Sequence, residues 1–182
     1  GLFWRNEPLL VDARLRGRLE VLFRGNASLL AYHLALDAHP ELGNNVQLIR
    51  ALGAHPESVF AGVGRGARFE GVIAIGDLVA RIATLTEREP LVFAHGPTAI
   101  RRIAVATGAA GHELIRAAHE GYDLLLTGEA EEPNQAAARE LGIHLVAAGH
   151  HATERLGVQA LAAHLGERFG LPWTYIEVEN PV

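Results

Sequence analysis

The sequence has no cysteine among its 182 residues. Disulfides and thiolate metal sites are therefore excluded, and any metal must take nitrogen or oxygen ligands. Methionine is also absent, and the chain opens on "GLFWRNEP" without an initiator residue. The expectation is a processed protein or the C-terminal part of a longer chain. Phe3 and Trp4 suggest a cut inside a folded region, because aromatics usually pack. No apolar run is long enough to cross a bilayer and no signal-peptide pattern is visible, so a cytoplasmic location is expected. There is no G-x-S-x-G elbow to support serine hydrolysis. Charged residues make up 20% and form no runs, which argues against extensive disorder. The net charge of -5 argues against a generally basic nucleic-acid surface.

What is present fits one globular domain or two small ones. The chain is 49% hydrophobic and carries ten histidines. "VDARLRGRLEVLFRGN" places Leu15, Leu19, Leu22 and Phe23 on one helical face, stopped at Gly25-Asn26. "SLLAYHLALD" reads as a strand leading into the loop "AHPELGNN", and "NVQLIRALGA" as a short helix. "SVFAGVG" and "ARFEGVI" read as strands joined by a "GRG" hairpin turn. From "IGDLVARIATLTER" onward, helices alternate with the strands "LVFAHG", "IRRIAVATG", "DLLLTG" and "IHLVAAG". A long helix from about His151 to Phe169 follows. Its apolar positions Leu156, Leu161, Leu165 and Phe169 leave Arg155, Glu167 and Arg168 for solvent, and "WTYIEVE" closes as a strand. The alternation implies an α/β layered sandwich with a mixed, largely parallel sheet. A boundary is expected at 56/57.

Three stretches stand at strand ends, where open α/β sheets build their sites. In "YHLALDAHP", an extended strand points His33, Ala35, Asp37 and His39 the same way. Asp37 at the strand end can ligate a divalent ion, or it can cap the loop. In "LLLTGEAEEP", Thr127 and Glu129 follow an apolar strand, and the plain role for Glu129 is an acid that complements the next helix dipole. In "AAGHHATERL", His150 and Glu154 lie four apart and share one side of a first helical turn, so they can clasp one metal; otherwise they cap and stabilise the helix. "ATGAAGHELI" is a glycine-bearing turn that fits neither the P-loop nor the dinucleotide fingerprint, and tight packing accounts for Gly108 and Gly111.

Together "GLFW", "YHLALDAHPELGNN", "LLLTGEAEE" and "AAGHHATERLGVQALAAHL" resemble the GTP cyclohydrolase 1 type 2 homologues, the YbgI-like dinuclear-metal-centre proteins. The resemblance runs in order over nearly the whole chain. It implies a site for two divalent ions, with zinc, iron, manganese, nickel or cobalt suited to the ligands. Asp37, His150 and Glu154 fall on the family's ligands. His33 falls on a histidine near the pocket, and Thr127 and Glu129 on its T-G-E block, as substrate groups or supports of the ligands. The family carries a His-His pair just before a segment like "GLFW", so two further ligands would lie upstream of Gly1. Pro133 and the small residues of "EEPNQAAA" depart from the more polar sequence usual after T-G-E.

The family fold has two related α/β domains per subunit, assembled as a toroidal homohexamer. Residues 1–56 are then expected to be the remnant of a truncated first domain and 57–182 the second. The implied activity is metal-assisted hydrolysis of a small-molecule or nucleotide substrate, with water opening the guanine imidazole ring of GTP. The metal-bound water would act with Glu154 or His33. The alternative is a non-catalytic metal-binding toroidal scaffold for a protein or nucleic-acid partner; DNA threading would need Arg65, Arg68, Arg101 and Arg102 to cluster. No membrane partner is expected.

Overall fold

The computed structural model describes Leu2, Pro8 and residues 10–182; Phe3 and Trp4 lie outside the described residues. Residues Gly1–Leu34 form one compact unit and Ala35–Val182 another. Compactness divides this chain after Leu34.

The first unit is built on α1 (Ala13–Arg24). The Asp12 side chain caps it by accepting the Leu15 N–H at 2.8 Å, which satisfies one of the helix's orphan donors. Of the expected apolar face, Leu15 is buried and Phe23 is exposed. The next helix, α2 (His33–Asp37), replaces the strand expected over "SLLAYHLALD". Leucine and alanine dominate that stretch and β-branched residues are missing, so intrinsic preference favours a helix. The common orientation of His33, Ala35, Asp37 and His39 is thereby lost, and His33 and Asp37 instead share a helix face at i, i+4.

The second unit continues with α3 (Asn44–Ala51), β1 (His55–Phe60), β2 (Gly64–Ala74), α4 (Ile75–Thr86), β3 (Leu91–Ala94) and β4 (Ala99–Ala106). A 3₁₀ turn leads into α5 (Leu114–His119). Then come β5 (Leu124–Thr127), α6 (Asn134–Leu141), β6 (His144–Ala147) and α7 (His150–Phe169). One six-stranded sheet has the order β1-β2-β4-β5-β6-β3. It is mixed, as expected, but parallel pairing is confined to β4-β5-β6; β1-β2, β2-β4 and β3-β6 are antiparallel. Parallel neighbours need crossover helices, and only α5 and α6 join sheet neighbours in that way. The β1-β2 reversal runs through Ala61 and Gly62, both at positive φ, while the "GRG" expected as the turn lies inside β2.

Alternation sorts the sheet's side chains into two cores. Ile103, Val105, Leu124, Leu126 and Val146 pack with Leu48, Ile49, Leu78 and Ile82 of α3 and α4. Ala104, Leu125 and Leu145 pack with Leu114, Ala117 and Ala138 of α5 and α6. Burial on both faces explains why β5 and β6 read as continuous apolar runs. Truncating one of these leucines to alanine costs roughly 2–5 kcal/mol.

α7 turns Ala152, Thr153 and Gly157 inward, while Phe169 is 65% exposed. The expected solvent face is corrected at Arg155, which donates to the Leu85 carbonyl at 3.0 Å and to Glu87 at 2.8 Å. Residues 171–182 hold no helix or strand, so "WTYIEVE" is not the closing strand expected. Its alternation finds no pairing edge, and the segment runs along α7 instead. Among the described residues no helix is long and apolar enough to cross a membrane.

Candidate metal centre

The parallel strands β4, β5 and β6 end in register, with Ala106 beside Thr127 and Thr127 beside Ala147. Backbone bonds lash the loops beyond them together. Gly128 and Glu129 N–H groups donate to the Gly108 carbonyl at 2.8 and 3.0 Å, and Gly149 N–H donates to the Gly128 carbonyl at 2.9 Å. The buried Thr127 hydroxyl donates to the Gly108 carbonyl at 3.0 Å and accepts the Ala110 N–H at 3.1 Å. Thr127 thus fixes the loop from behind.

This clasp presents the first turn of α7. His150 Nδ1 is hydrogen-bonded to the Glu129 carboxylate. Its Nε2 lies 3.4 Å from the Glu154 carboxylate, the i, i+4 relationship legible in the sequence. Glu129 therefore does not serve the α6 dipole, since α6 begins only at Asn134. It holds the histidine ring from one side and leaves Nε2 on the side of Glu154. Gly108 stands against the pair. A Cβ on it would collide with Glu154 and lie 3.1 Å from His150 Nε2, and its φ of +72° disfavours any side chain.

Asp37, 6% exposed, is brought to the same place by α3. Asn44 Nδ2 donates to the Asp37 carboxylate at 2.7 Å, and Asn44 Oδ1 accepts the Gly157 N–H of α7 at 2.7 Å. Asn45 donates to the Asp37 and Val63 carbonyls and accepts the Thr107 N–H at 2.9 Å. Asp37 and Glu154 present carboxylate oxygens within 4.8 Å of each other.

The donors fit a divalent ion. They are carboxylate oxygens and imidazole nitrogen, the set that borderline metals accept. The hydroxyl of Thr107, the residue before Gly108, is buried without a hydrogen-bond partner among the described residues.

The family described as Duf34/NIF3 (NGG1p interacting factor 3) matches residues 1–181. The chain belongs to the Duf34/NIF3 family. A GTP cyclohydrolase 1 type 2 homolog of Pseudomonas aeruginosa is 44% identical to this NIF3 chain, which covers 73% of that relative's length and is itself matched throughout. A solved structure titled "protein ybgI, unknown function" superposes with a TM-score of 0.94 at 37% identity, over 99% of this chain and 73% of the other. The protein TTHA1606 from Thermus thermophilus gives 0.89 at 35% identity, over 99% and 73%.

Within this NIF3 chain the site draws on residues that the sequence left without roles. Asn44 and Asn45 were visible as "GNN", yet nothing in a linear motif says that one asparagine bridges two helices. The packing reason expected for Gly108 and Gly111 holds, since a Cβ at Gly111 would lie 2.6 Å from Asn134 Oδ1. Three of the four arginines named for DNA threading make contacts within the chain. Arg65 donates to the Ala38 carbonyl, Arg68 pairs with Glu57, and Arg102 donates to the Glu120 and Gly121 carbonyls while stacking over Tyr122.

Proposed function

We propose that this chain carries part of a metal-dependent hydrolase site in which Asp37, His150 and Glu154 are ligands. The observations that support this reading are two pairings through Glu154: its carboxylate lies within 4.8 Å of that of Asp37, and His150 Nε2 lies 3.4 Å from it. Divalent ions held there, two in number and drawn from zinc, iron, manganese, nickel or cobalt, would supply the Lewis acidity that makes water nucleophilic near neutral pH.

The chain's own residues prepare the ground for that chemistry. Glu129 fixes the His150 ring, and Asn44 aims Asp37. Gly108 keeps a methyl group out of the space beside Glu154. Glu154 or His33 is the candidate to move a proton.

The relatives' name suggests GTP as substrate. Two waters would be consumed: one adds at C8 and opens the imidazole ring, and the second releases C8 as formate. The working assembly is proposed to be a toroidal homohexamer in the cytoplasm. A second reading, a metal-binding scaffold, takes its support from the family description, which names a protein interaction.

Metal analysis of the full-length protein and of Glu154→Ala, followed by incubation with GTP and each metal, tests the proposal. The expected result is metal and formate release in the wild type and loss of both in the variant. Unchanged metal content would remove Glu154 from the ligands, and no formate with any of the five metals would favour the scaffold.

A further inference from the structure

The N-cap of α7 is Gly149, at a φ of +94°. A Cβ there would meet Arg88, so the backbone requires glycine. Glycine offers no side-chain acceptor, yet the first N–H groups of a helix need one. Residues 171–182 form a strap along α7 that supplies it. The Val182 main-chain oxygen accepts the His151 N–H at 3.0 Å, the place that a serine or aspartate N-cap side chain would take. From the same strap, Glu177 accepts a hydrogen bond from His151 Nε2 at 2.7 Å. His151 is thus held by its backbone and by its side chain.

The strap is itself anchored elsewhere. Trp173 lies on Gly166, where a Cβ would stand 2.7 Å from its Cδ1. Glu177 is also hydrogen-bonded to Tyr175 and pairs with Arg155 at 3.4 Å. Arg155 in turn reaches Glu87 at 2.8 Å and the Leu85 carbonyl at 3.0 Å, which ties the strap to the end of α4. His151 stands between His150 and Glu154 on the first turn of α7. Helix ends fray, and any rotation of this turn moves both side chains together. Strap and ligands line one cavity of about 730 Å³, so the strap borders the centre. Two routes lead from Glu177 to the ligands, one through His151 and one through Arg155. The His151 route has the shorter contact, 2.7 against 3.4 Å, and it ends on the residue whose N–H the strap also caps.

We propose that residues 171–182 are the cap of α7 and that Glu177 is a positioning residue for the metal ligands His150 and Glu154, acting through His151. Gly149 leaves the helix start without a cap of its own, and the strap fixes the turn from outside. This rests on the reading of His150 and Glu154 as metal ligands.

Titration of cobalt(II) into the full-length protein, followed by calorimetry and by visible absorption, tests it. The variants are Glu177→Ala, Glu177→Gln, His151→Phe and the double variant Glu177→Ala/His151→Phe, with Glu154→Ala as the ligand control. Glu177 is exposed, so its variants are expected to fold. The expected result is a dissociation constant raised about tenfold in Glu177→Ala and in His151→Phe. The double variant is no worse than either single one, because both remove the same link. The absorption bands of bound cobalt, which report ligand geometry, change in Glu177→Ala. Glu177→Gln keeps an acceptor for His151 and restores both affinity and spectrum. In the metal-free proteins the His151 amide exchanges faster in Glu177→Ala than in the wild type. Wild-type affinity and spectrum in Glu177→Ala overturn the proposal, as does unchanged amide exchange. Effects that multiply in the double variant also overturn it, since Glu177 would then act through Arg155. Loss of cobalt in Glu154→Ala beside wild-type binding in Glu177→Ala removes the positioning role and leaves the metal centre. No cobalt binding by the wild type, or full binding by Glu154→Ala, removes the ligand reading and the proposal with it.

Discussion

Asn44 donates a 2.7 Å hydrogen bond to the buried carboxylate of Asp37. Because the other end of the same carboxamide accepts the Gly157 N–H, the bond ties the end of α2 to the helix that carries Glu154. A buried carboxylate stripped of a donor is left with an unmet desolvation cost of about 1–3 kcal/mol. Asn44→Ala should therefore lower stability by an amount of that order in urea unfolding. Metal affinity should fall by roughly 10–100-fold, as for other residues that orient ligands. Wild-type metal affinity in a folded Asn44→Ala protein would show that Asp37 needs no such support.

Gly108→Ala tests the space beside the ligands. The added methyl would meet Glu154 and His150 in a backbone conformation that costs about 1–2 kcal/mol for a residue with a Cβ. A modest fall in melting temperature is expected together with a disproportionate loss of bound metal. Retention of full metal stoichiometry would mean that the carboxylate can move aside without consequence.

Glu129→Ala removes the group that fixes the His150 ring. The carboxylate is partly exposed, so little change in stability is expected. Metal affinity should fall by roughly 10–100-fold, with Glu129→Gln intermediate because its carbonyl can still accept from Nδ1–H. Equal metal binding in all three proteins would leave Glu129 a surface ion pair only.

The strap should loosen in acid. Hydrogen bonds from His151, first, and Tyr175 hold the Glu177 carboxyl below its ordinary range, with Arg155 adding to the effect. A lowered folded pKa contributes stability that is present above the ordinary glutamate value, about 4.3, and is lost as pH falls through the lower folded value. Trp173 emission, recorded in a Trp4→Phe background, should shift toward that of exposed tryptophan in this acid window. Glu177→Gln should lack that transition; its persistence there would assign the change to another group.

The exposed Tyr32 and Leu34 beside His33, and the burial of Asp37, show how α2 misled a strand reading. Apolar alternation over so short a stretch is compatible with either element, and only the helix gives Asp37 its position before the loop. Glu129 misled in another way. An acid ahead of a helix suits the dipole, and no pattern in the chain says that it reaches a histidine 21 residues later.

The sequence by itself determined what depends on neighbours along the chain. The apolar runs fixed β5 and β6 as buried strands, the absence of cysteine fixed the ligand chemistry, and the four-residue spacing put His150 and Glu154 on one helical turn. The tertiary structure decided what depends on closure. Only the packing of α3 against α7 sets Asp37 within 4.8 Å of Glu154, and only the edge order of the sheet left residues 171–182 to lie on a helix rather than extend it as a strand. The physical reason is that local patterns select an element by its period, whereas distances between remote side chains are set by how the elements pack.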